Sequence, residues 1–219
     1  MKTGPLVAAS LAVAAAMALF AYFTAAQLPA GAVLPTHWNA TGQPDSFSPA
    51  LGALLMPAGI VLLVTAIFAV IPRIEPLQNK LEASAPVLRA SWLGILVIML
   101  VVEATIGLPA WGITLPVNAI MLAMGLFFIV IGNVLPKSRP GFFVGIRTPW
   151  TITDTDNWIA THRLGGKLMM AAGAAIVVAS LLPIRPETTA IVVLASVAVG
   201  AGVPVVYSWW YWRRSKGNA

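Results

Sequence analysis

The stretch "ITLPVNAIMLAMGLFFIVIGNVL", Ile113–Leu135, contains no charged side chain. A helix needs about 20 mostly apolar residues to cross the hydrocarbon core of a bilayer, and this stretch meets that requirement. The composition of the whole chain agrees, since hydrophobic residues make up 59% of its 219 residues and charged residues only 9%. Soluble domains carry about a quarter charged residues. The sequence therefore predicts an integral membrane protein and excludes an ordinary soluble domain.

Similar apolar segments on both sides of this stretch predict an all-α fold with six transmembrane helices. The predicted spans are Pro5–Ala26, Leu51–Ile71, Val87–Gly107, Ile113–Leu135, Lys167–Leu182 and Thr188–Trp212. The fifth is short, so we expect it to take in residues that precede it. We expect Pro204 to kink the sixth. The chain divides into a two-span module with an outer loop (residues 1–72) and a four-span module (residues 73–219), which together form one compact membrane domain.

The basic residues predict the orientation of these spans. All of the 13 Lys and Arg residues except Arg185 fall at the termini, in loops or at span ends on one side of the predicted bundle. Because cytoplasmic loops carry an excess of Lys and Arg, both termini are predicted to be cytoplasmic. The net charge of +6 then reflects loops that face anionic headgroups, and it does not call for a nucleic-acid partner.

The loop between spans four and five contains the polar stretch "VGIRTPWTITDTDNWIATHRLGG", Val144–Gly166. Pro149 disfavours helix at the residue before it, which predicts an extended or turned segment there. Thr153, with an acidic residue three positions later, predicts a helix start. We therefore expect a short interfacial helix before span five and running into it, with Trp158 and His162 on one side.

The side chains of this loop allow two interpretations. A simple anchor needs only Trp and Arg at the membrane edge, and Trp150 and Trp158 suit the headgroup boundary. The density of Gly, Pro, Asp, His and Arg exceeds that need, which favours a folded element that carries partner recognition. In such an element, Arg147 and Arg163 should pair with acidic side chains (Asp154 and Asp156) or with backbone carbonyls.

The longer run "GNVLPKSRPGFFVGIRTPWTITDTDNWIATHRLGGKL", Gly132–Leu168, resembles the signature of the SdpI family of bacterial membrane proteins. Gly141 departs from the pattern, because many relatives are expected to have Asn there. The matching positions are Asn133, Gly145, Ile146, Arg147, Thr148, Pro149, Trp150, Thr151, Trp158, Thr161, His162, Arg163 and Gly166.

A second resemblance lies in the first outer loop, "LPTHWNATGQPDSF", Leu34–Phe47. It is similar to the "lP-x-H-x-N-x-x-G-x-x-D" motif of a small domain of unknown function that commonly heads these proteins. Its Pro, Asn and Gly residues predict defined turns in an ordered outer cap, with cation binding as a less favoured alternative. The motif residues are Pro35, His37, Asn39, Gly42 and Asp45.

The SdpI resemblance implies a multi-pass protein of the bacterial plasma membrane that confers immunity to a secreted antimicrobial peptide toxin. The family's best-known member also implies signalling, in which the membrane protein sequesters a transcriptional repressor. The partners implied are therefore the lipid bilayer, a peptide toxin and a cytoplasmic ArsR-like repressor.

Two other classes of function remain as alternatives. Glu103 lies within predicted span three, and an ionisable group there suggests a small proton- or ion-coupled transporter or a channel subunit. Its candidate partners are Arg185, His37 and Asn118, unless its carboxylate lies close enough to the outer edge to reach water. The third class is a membrane enzyme acting on a lipid through the cytoplasmic loop. The chain has no Cys, its two His residues are predicted on opposite faces, and no nucleophile with a base is visible, so we expect no enzyme activity, metal or cofactor.

Overall fold

The computed structural model describes residues 3–217. Within this range six helical segments are long and apolar enough to cross a membrane, so the predicted six-span helical fold is confirmed. The first five spans are helices α1 to α4 and α6, and the sixth consists of α7 and α8 joined by a π-helical turn. Their bounds are α1 Gly4–Gln27, α2 Ala50–Ile74, α3 Gln78–Gly107, α4 Asn118–Val134, α6 Thr155–Leu181, α7 Pro186–Val197 and α8 Val203–Gly217.

The first three spans pack around a buried core of large apolar side chains. Trp92 of α3 is fully buried, and Met17 and Val61 of the neighbouring helices pack in the same cluster. The Trp92 indole N–H donates to the Ser10 hydroxyl oxygen at 2.9 Å. A polar group within a membrane helix has to be satisfied inside the protein, and this bond between α3 and α1 does so for the indole.

Helices α4 and α6 approach each other through paired glycines. A Cβ built on Gly132 would lie 2.6 Å from the carbonyl oxygen of Gly166, and one built on Gly166 would lie 2.6 Å from the oxygen of Gly132. The same reciprocal relation holds for Gly125 and Gly173, at 2.9 and 2.5 Å. Small residues of this kind allow close backbone approach between membrane helices. The contact fixes α6, and with it the polar loop, against α4.

Several helix ends differ from the predicted ones. Helix α3 starts at Gln78 rather than Val87. Helix α4 starts at Asn118 rather than Ile113, because the 3₁₀ turn Leu108–Trp111 is followed by a non-helical segment in which Pro116 disfavours helix at Leu115. Hydropathy marks the part of a helix that suits lipid, whereas a helix can continue beyond the membrane or stop at a local turn.

The predicted helix that runs into span five forms the first turns of α6. Helix α6 runs without a break from Thr155 to Leu181, so the expected lengthening of span five is confirmed. The element that precedes it is a single helical turn, α5, Pro149–Thr153. In the sixth span a π turn, Ala198–Gly202, comes directly before the segment that contains Pro204. Since proline has no N–H to donate, the regular helical pattern is interrupted there, as the sequence predicted.

The outer loop forms a β-hairpin of β1, Val33–Trp38, and β2, Pro44–Pro49. The Asn39 side-chain oxygen accepts the backbone N–H groups of Thr41 and Gln43, both at 3.0 Å. The sequence predicted ordered turns here, but it did not predict strands. Trp38 packs against Ala21 and Leu54 of the first two spans, so the hairpin caps that end of the bundle.

Candidate functional site

The centre of the polar loop is a stacked pair of buried aromatic rings on α6. Trp158 and His162 are both fully buried, and their ring centroids lie 4.1 Å apart at an interplanar angle of 15°. They stack because residues four positions apart lie on one face of a helix. Gly145 covers the stack with a positive φ of 110°, and a Cβ there would lie 2.5 Å from the His162 Nε2 atom. Only glycine fits this position on grounds of both space and backbone conformation.

Both ring nitrogens of His162 are bonded to the backbone. The Trp158 carbonyl lies 2.8 Å from Nδ1, and the N–H of Ile146 points at Nε2, also at 2.8 Å. A carbonyl can only accept and an N–H can only donate, so Nδ1 carries the hydrogen and Nε2 is the acceptor. His162 is therefore a neutral linker between α6 and the loop. With both nitrogens engaged, it is not free to act as a base or a metal ligand.

Two threonines close the turn that precedes α6. The Thr148 hydroxyl accepts the N–H of Thr151 at 3.2 Å, and the Thr151 hydroxyl accepts the N–H of Thr148 at 2.9 Å. This reciprocal capping box starts α5 after an extended Thr148, as the following proline requires. The Thr151 hydroxyl also donates to the Ile146 carbonyl at 3.0 Å, next to the N–H that His162 accepts.

Helix α6 is capped one residue later than predicted. The Asp154 carboxylate accepts the N–H groups of Asp156 and Asn157, at 2.9 and 3.1 Å. The Thr153 hydroxyl instead donates to the Pro149 carbonyl within α5 at 2.9 Å. The predicted cap at Thr153 is therefore wrong, because the α5 turn continues through that residue.

The last helix holds the loop through Ser208 of α8. The Trp150 indole N–H donates to the Ser208 hydroxyl at 2.6 Å, and the Asn157 amide donates to the Ser208 carbonyl at 2.9 Å. The Trp150 ring also stacks on Trp212 with centroids 5.7 Å apart. Thr161, which is fully buried, donates to the Asn157 side-chain oxygen at 3.0 Å. A single polar position on α8 thus joins the α5 turn to α6.

The end of α2 holds the other side of the loop through a buried carboxylate. Glu75 is 3% exposed, and its oxygens accept the N–H groups of Phe142, at 3.0 and 3.2 Å, and of Phe143, at 3.1 Å. Beside it, the Ser84 hydroxyl accepts the N–H of Arg139 at 3.0 Å. These bonds tie the loop to the end of α2 and the start of α3.

The predicted pairing of the loop arginines is confirmed only for Arg147. Its guanidinium donates to the Phe142 carbonyl at 2.7 Å. Arg163 is exposed and makes no hydrogen bond or ion pair within residues 3–217, so its predicted pairing with an aspartate or a carbonyl is wrong. The surface of the loop is mostly basic, because four of its cations besides Arg147 are exposed. These are Lys137, Arg139, Arg163 and Lys167.

The structure brings most of the predicted loop residues into one cluster. Trp158 is wrong as a headgroup anchor, since it is fully buried and its N–H donates to the Ser138 hydroxyl at 3.2 Å. Asn133 is exposed and stands apart from the cluster. The members of the cluster are Gly145, Ile146, Arg147, Thr148, Pro149, Trp150, Thr151, Trp158, Thr161 and His162, with Gly166 one turn further along α6.

Sequence reasoning missed the residues that hold the cluster from outside. Glu75, Ser84 and Ser208 lie on α2, α3 and α8, far along the chain from their partners. Ser138 and Asn157 lay within the quoted run, but their role was not recognised. No short-range spacing signals such contacts. The one signal in the sequence was an acidic residue directly before Pro76 at the end of a span.

The other candidate residues lie away from this cluster. His37 and Asp45 face each other across the hairpin as an exposed pair. Glu103 is 3% exposed within α3, and its Oε1 atom has no hydrogen-bond partner among the described residues. Within residues 3–217, no three His, Cys, Asp or Glu side chains lie close enough to hold a metal ion.

Comparison with known proteins finds a family likeness in the part of the chain that contains the cluster. Residues 137–208, which include the whole cluster apart from its contacts on α2 and α3, match the SdpI/YfhL protein family. This part of the chain is similar to the SdpI/YfhL protein family, so the resemblance seen in the sequence is confirmed. With six helices long and apolar enough to cross a membrane, the chain is a multi-pass membrane protein.

Two further comparisons define the extent of the likeness. Residues 11–62 match a domain of unknown function, DUF1648. The chain is 26% identical to "Immunity protein SdpI" of Bacillus subtilis (strain 168) over 97 residues, which are 44% of this chain and 46% of that protein. The likeness thus spans about half the length of the curated relative. No solved structure matches the chain.

Proposed function

We propose that this protein is a membrane immunity protein of the SdpI type, which protects a bacterial cell against a secreted antimicrobial peptide toxin. The supporting observation is the coincidence of two findings. The SdpI/YfhL match covers residues 137–208, and within it the loop before α6 is held by a dense set of buried hydrogen bonds around His162. A loop that served only as an anchor would not need a neutral histidine bonded at both nitrogens.

We further propose that the loop faces the cytoplasm and binds a cytoplasmic repressor of the ArsR type. The exposed cations around the loop, among them Arg139 and Arg163, give it a basic surface suited to an acidic partner face. The buried cluster beneath holds the backbone still, which lowers the entropy lost on binding. Signalling would then follow from changes in the spans that reach the loop through Glu75 and Ser208.

The two matched segments support the proposed division of the chain into residues 1–72 and 73–219. Residues 11–62 lie within the first module and residues 137–208 within the second. The Trp92 indole of the second module donates to the Ser10 hydroxyl of the first, which supports one membrane domain.

A survival assay tests the proposed immunity. The chain would be expressed in Bacillus subtilis cells that lack Immunity protein SdpI. These cells would be exposed to the toxin that Immunity protein SdpI counters. We expect higher survival than in cells with an empty vector. An unrelated control protein should be inserted into the membrane at equal levels in both strains. Equal survival of the two strains, with the chain present in the membrane, would contradict the proposal.

The transporter alternative depends on Glu103. A buried carboxyl group within a span is a reason to consider ion coupling. The carboxyl group lies in α3 without a second ionisable partner among the described residues, which does not provide a relay across the bilayer. We therefore keep immunity as the proposed function and test Glu103 separately below.

A further inference from the structure

A cleft of about 410 Å³ lies beside the loop, between α3, α4 and the π turn of the sixth span. Its floor is apolar and buried, formed by Val87, Ile131 and Leu135. Its rim includes Ala201 of the π turn and Val205, both of which are exposed on the outside of the bundle. The cleft therefore opens sideways from the helix bundle, toward the place where lipid chains lie.

One cation stands at the mouth of this cleft. Arg147 lines it, is exposed, and has one of its N–H groups held by the Phe142 carbonyl at 2.7 Å. A guanidinium carries five N–H donors in a planar fork, so a single bond to the backbone orients the group and leaves further donors for a ligand. Planar forks of this kind match phosphate oxygens well.

The π turn explains why the cleft is open at this level. Its Gly200 lies against α6, where an added Cβ would be 3.5 Å from the Ala172 Cβ, and the wider turn occurs where Pro204 cannot donate an N–H. π turns in helices recur at functional sites. The floor, the oriented guanidinium and the π turn meet within one cleft at the end of the bundle that carries the basic loop.

From this geometry we propose that the cleft binds one anionic phospholipid, with an acyl chain on the apolar floor and the phosphate paired with Arg147. The occupant is an amphiphile because the cleft is apolar in depth and cationic only at its mouth. It is anionic because membrane surfaces attract juxtamembrane cations through acidic lipids. This proposal does not depend on immunity to a toxin, and its test uses neither toxin nor repressor.

The test is native mass spectrometry of the full chain in detergent, titrated with phosphatidylglycerol or phosphatidylcholine. We expect one phosphatidylglycerol to bind more tightly than phosphatidylcholine. Arg147→Gln should weaken phosphatidylglycerol binding by about tenfold, the value of a hydrogen-bonded charge pair. Arg213→Gln, the matched control, removes the same charge from an exposed arginine outside the cleft and should change binding by less than about threefold.

A second variant tests the cleft rather than the charge. Ala201→Trp keeps Arg147 and fills the cleft from an exposed helix position, so it should also abolish the preference for phosphatidylglycerol. Circular dichroism would show that each variant is folded. An equal loss of phosphatidylglycerol binding in Arg147→Gln and Arg213→Gln would overturn the proposal, because it would indicate general adsorption of lipid to basic residues. Unchanged lipid binding in Ala201→Trp would overturn the proposal, because the lipid would then bind elsewhere. A dimer that this variant alone disrupts would also overturn it, because a second copy of the chain would then occupy the cleft.

Discussion

At the scale of single residues, a few buried polar side chains fix the backbone of an otherwise apolar protein. His162 joins Trp158 to Ile146, Ser208 joins Trp150 to Asn157, and each of these side chains is satisfied by groups of the protein itself. Buried polar groups are costly when unpaired and specify one arrangement when paired. The loop is therefore rigid because of its interior, whereas its charged surface is left free for partners.

Glu75 gives a direct test of this view. Glu75→Gln replaces one carboxylate oxygen by an NH₂ group that faces backbone N–H donors, so the free energy of unfolding should fall by about 2 kcal/mol. The measurement is unfolding of the purified protein in mixed micelles, followed by circular dichroism. Glu187→Gln, at an exposed position in the first turn of α7, is the matched control and should change stability by less than about 1 kcal/mol. Equal stability of the two variants would show that Glu75 does not hold the loop.

For Glu103 we predict the opposite effect of substitution on the free energy of unfolding. Its Oε1 atom and the hydroxyl of Thr65 are buried without partners among the described residues, so Glu103→Leu and Thr65→Val should each raise the free energy of unfolding by about 1 kcal/mol. Ion flux into proteoliposomes should be the same for the unchanged chain and Glu103→Leu. A flux that the unchanged chain shows and Glu103→Leu abolishes would favour the transporter alternative.

At the scale of the elements, paired glycines bring the backbones of α4 and α6 into close contact. Gly166→Ala places a Cβ 2.6 Å from the Gly132 carbonyl oxygen, which backbone atoms cannot avoid without separating the helices. We expect a loss of about 1–3 kcal/mol in the free energy of unfolding. Gly59→Ala, inside α2 with nothing within 4 Å of the added Cβ, is the control and should be neutral or slightly stabilising. A Gly166→Ala variant as stable as Gly59→Ala would contradict the close contact.

The elements also show what a sequence can and cannot reveal. The six spans were predictable because hydropathy over about 20 residues is a local property. The ends of α3 and α4 were not, since they depend on a helix that continues past the lipid and on a turn at Gly112. The predicted cap of α6 at Thr153 was one residue early. The prediction used a local pattern, whereas Thr148 and Thr151 start the α5 turn, which includes Thr153.

The candidate site was predictable in its members but not in its construction. The loop residues were found as one run, and the stacking of Trp158 on His162 followed from their four-residue spacing. The contacts from Glu75 and Ser208 join residues 67 and 51 positions apart, so no local rule predicts them. The strands of the outer hairpin were missed because their prolines and polar residues do not give an alternating apolar pattern.

At the scale of the whole molecule, the distribution of basic residues predicts the orientation in the membrane. The chain has no Cys, so single cysteines introduced at the exposed positions Lys137 and Ser46 report on opposite ends of the bundle. We expect an impermeant thiol reagent to label Ser46→Cys from outside intact cells and to label Lys137→Cys only after the cells are opened. The reverse pattern would contradict the predicted orientation.

The central claim is that the cluster around His162, and not the spans alone, carries the function. His162→Phe keeps an aromatic ring on Trp158 but leaves the Ile146 N–H without its acceptor, and Trp150→Phe removes the bond to Ser208. Trp209→Phe, at an exposed indole of α8 outside the cluster, is the matched control. The decisive measurement is survival of toxin-exposed cells that carry each variant, alongside the amount of each variant in the membrane. The account predicts that His162→Phe and Trp150→Phe insert like Trp209→Phe yet lose protection, because insertion depends on the spans. Full protection by inserted His162→Phe and Trp150→Phe would contradict it.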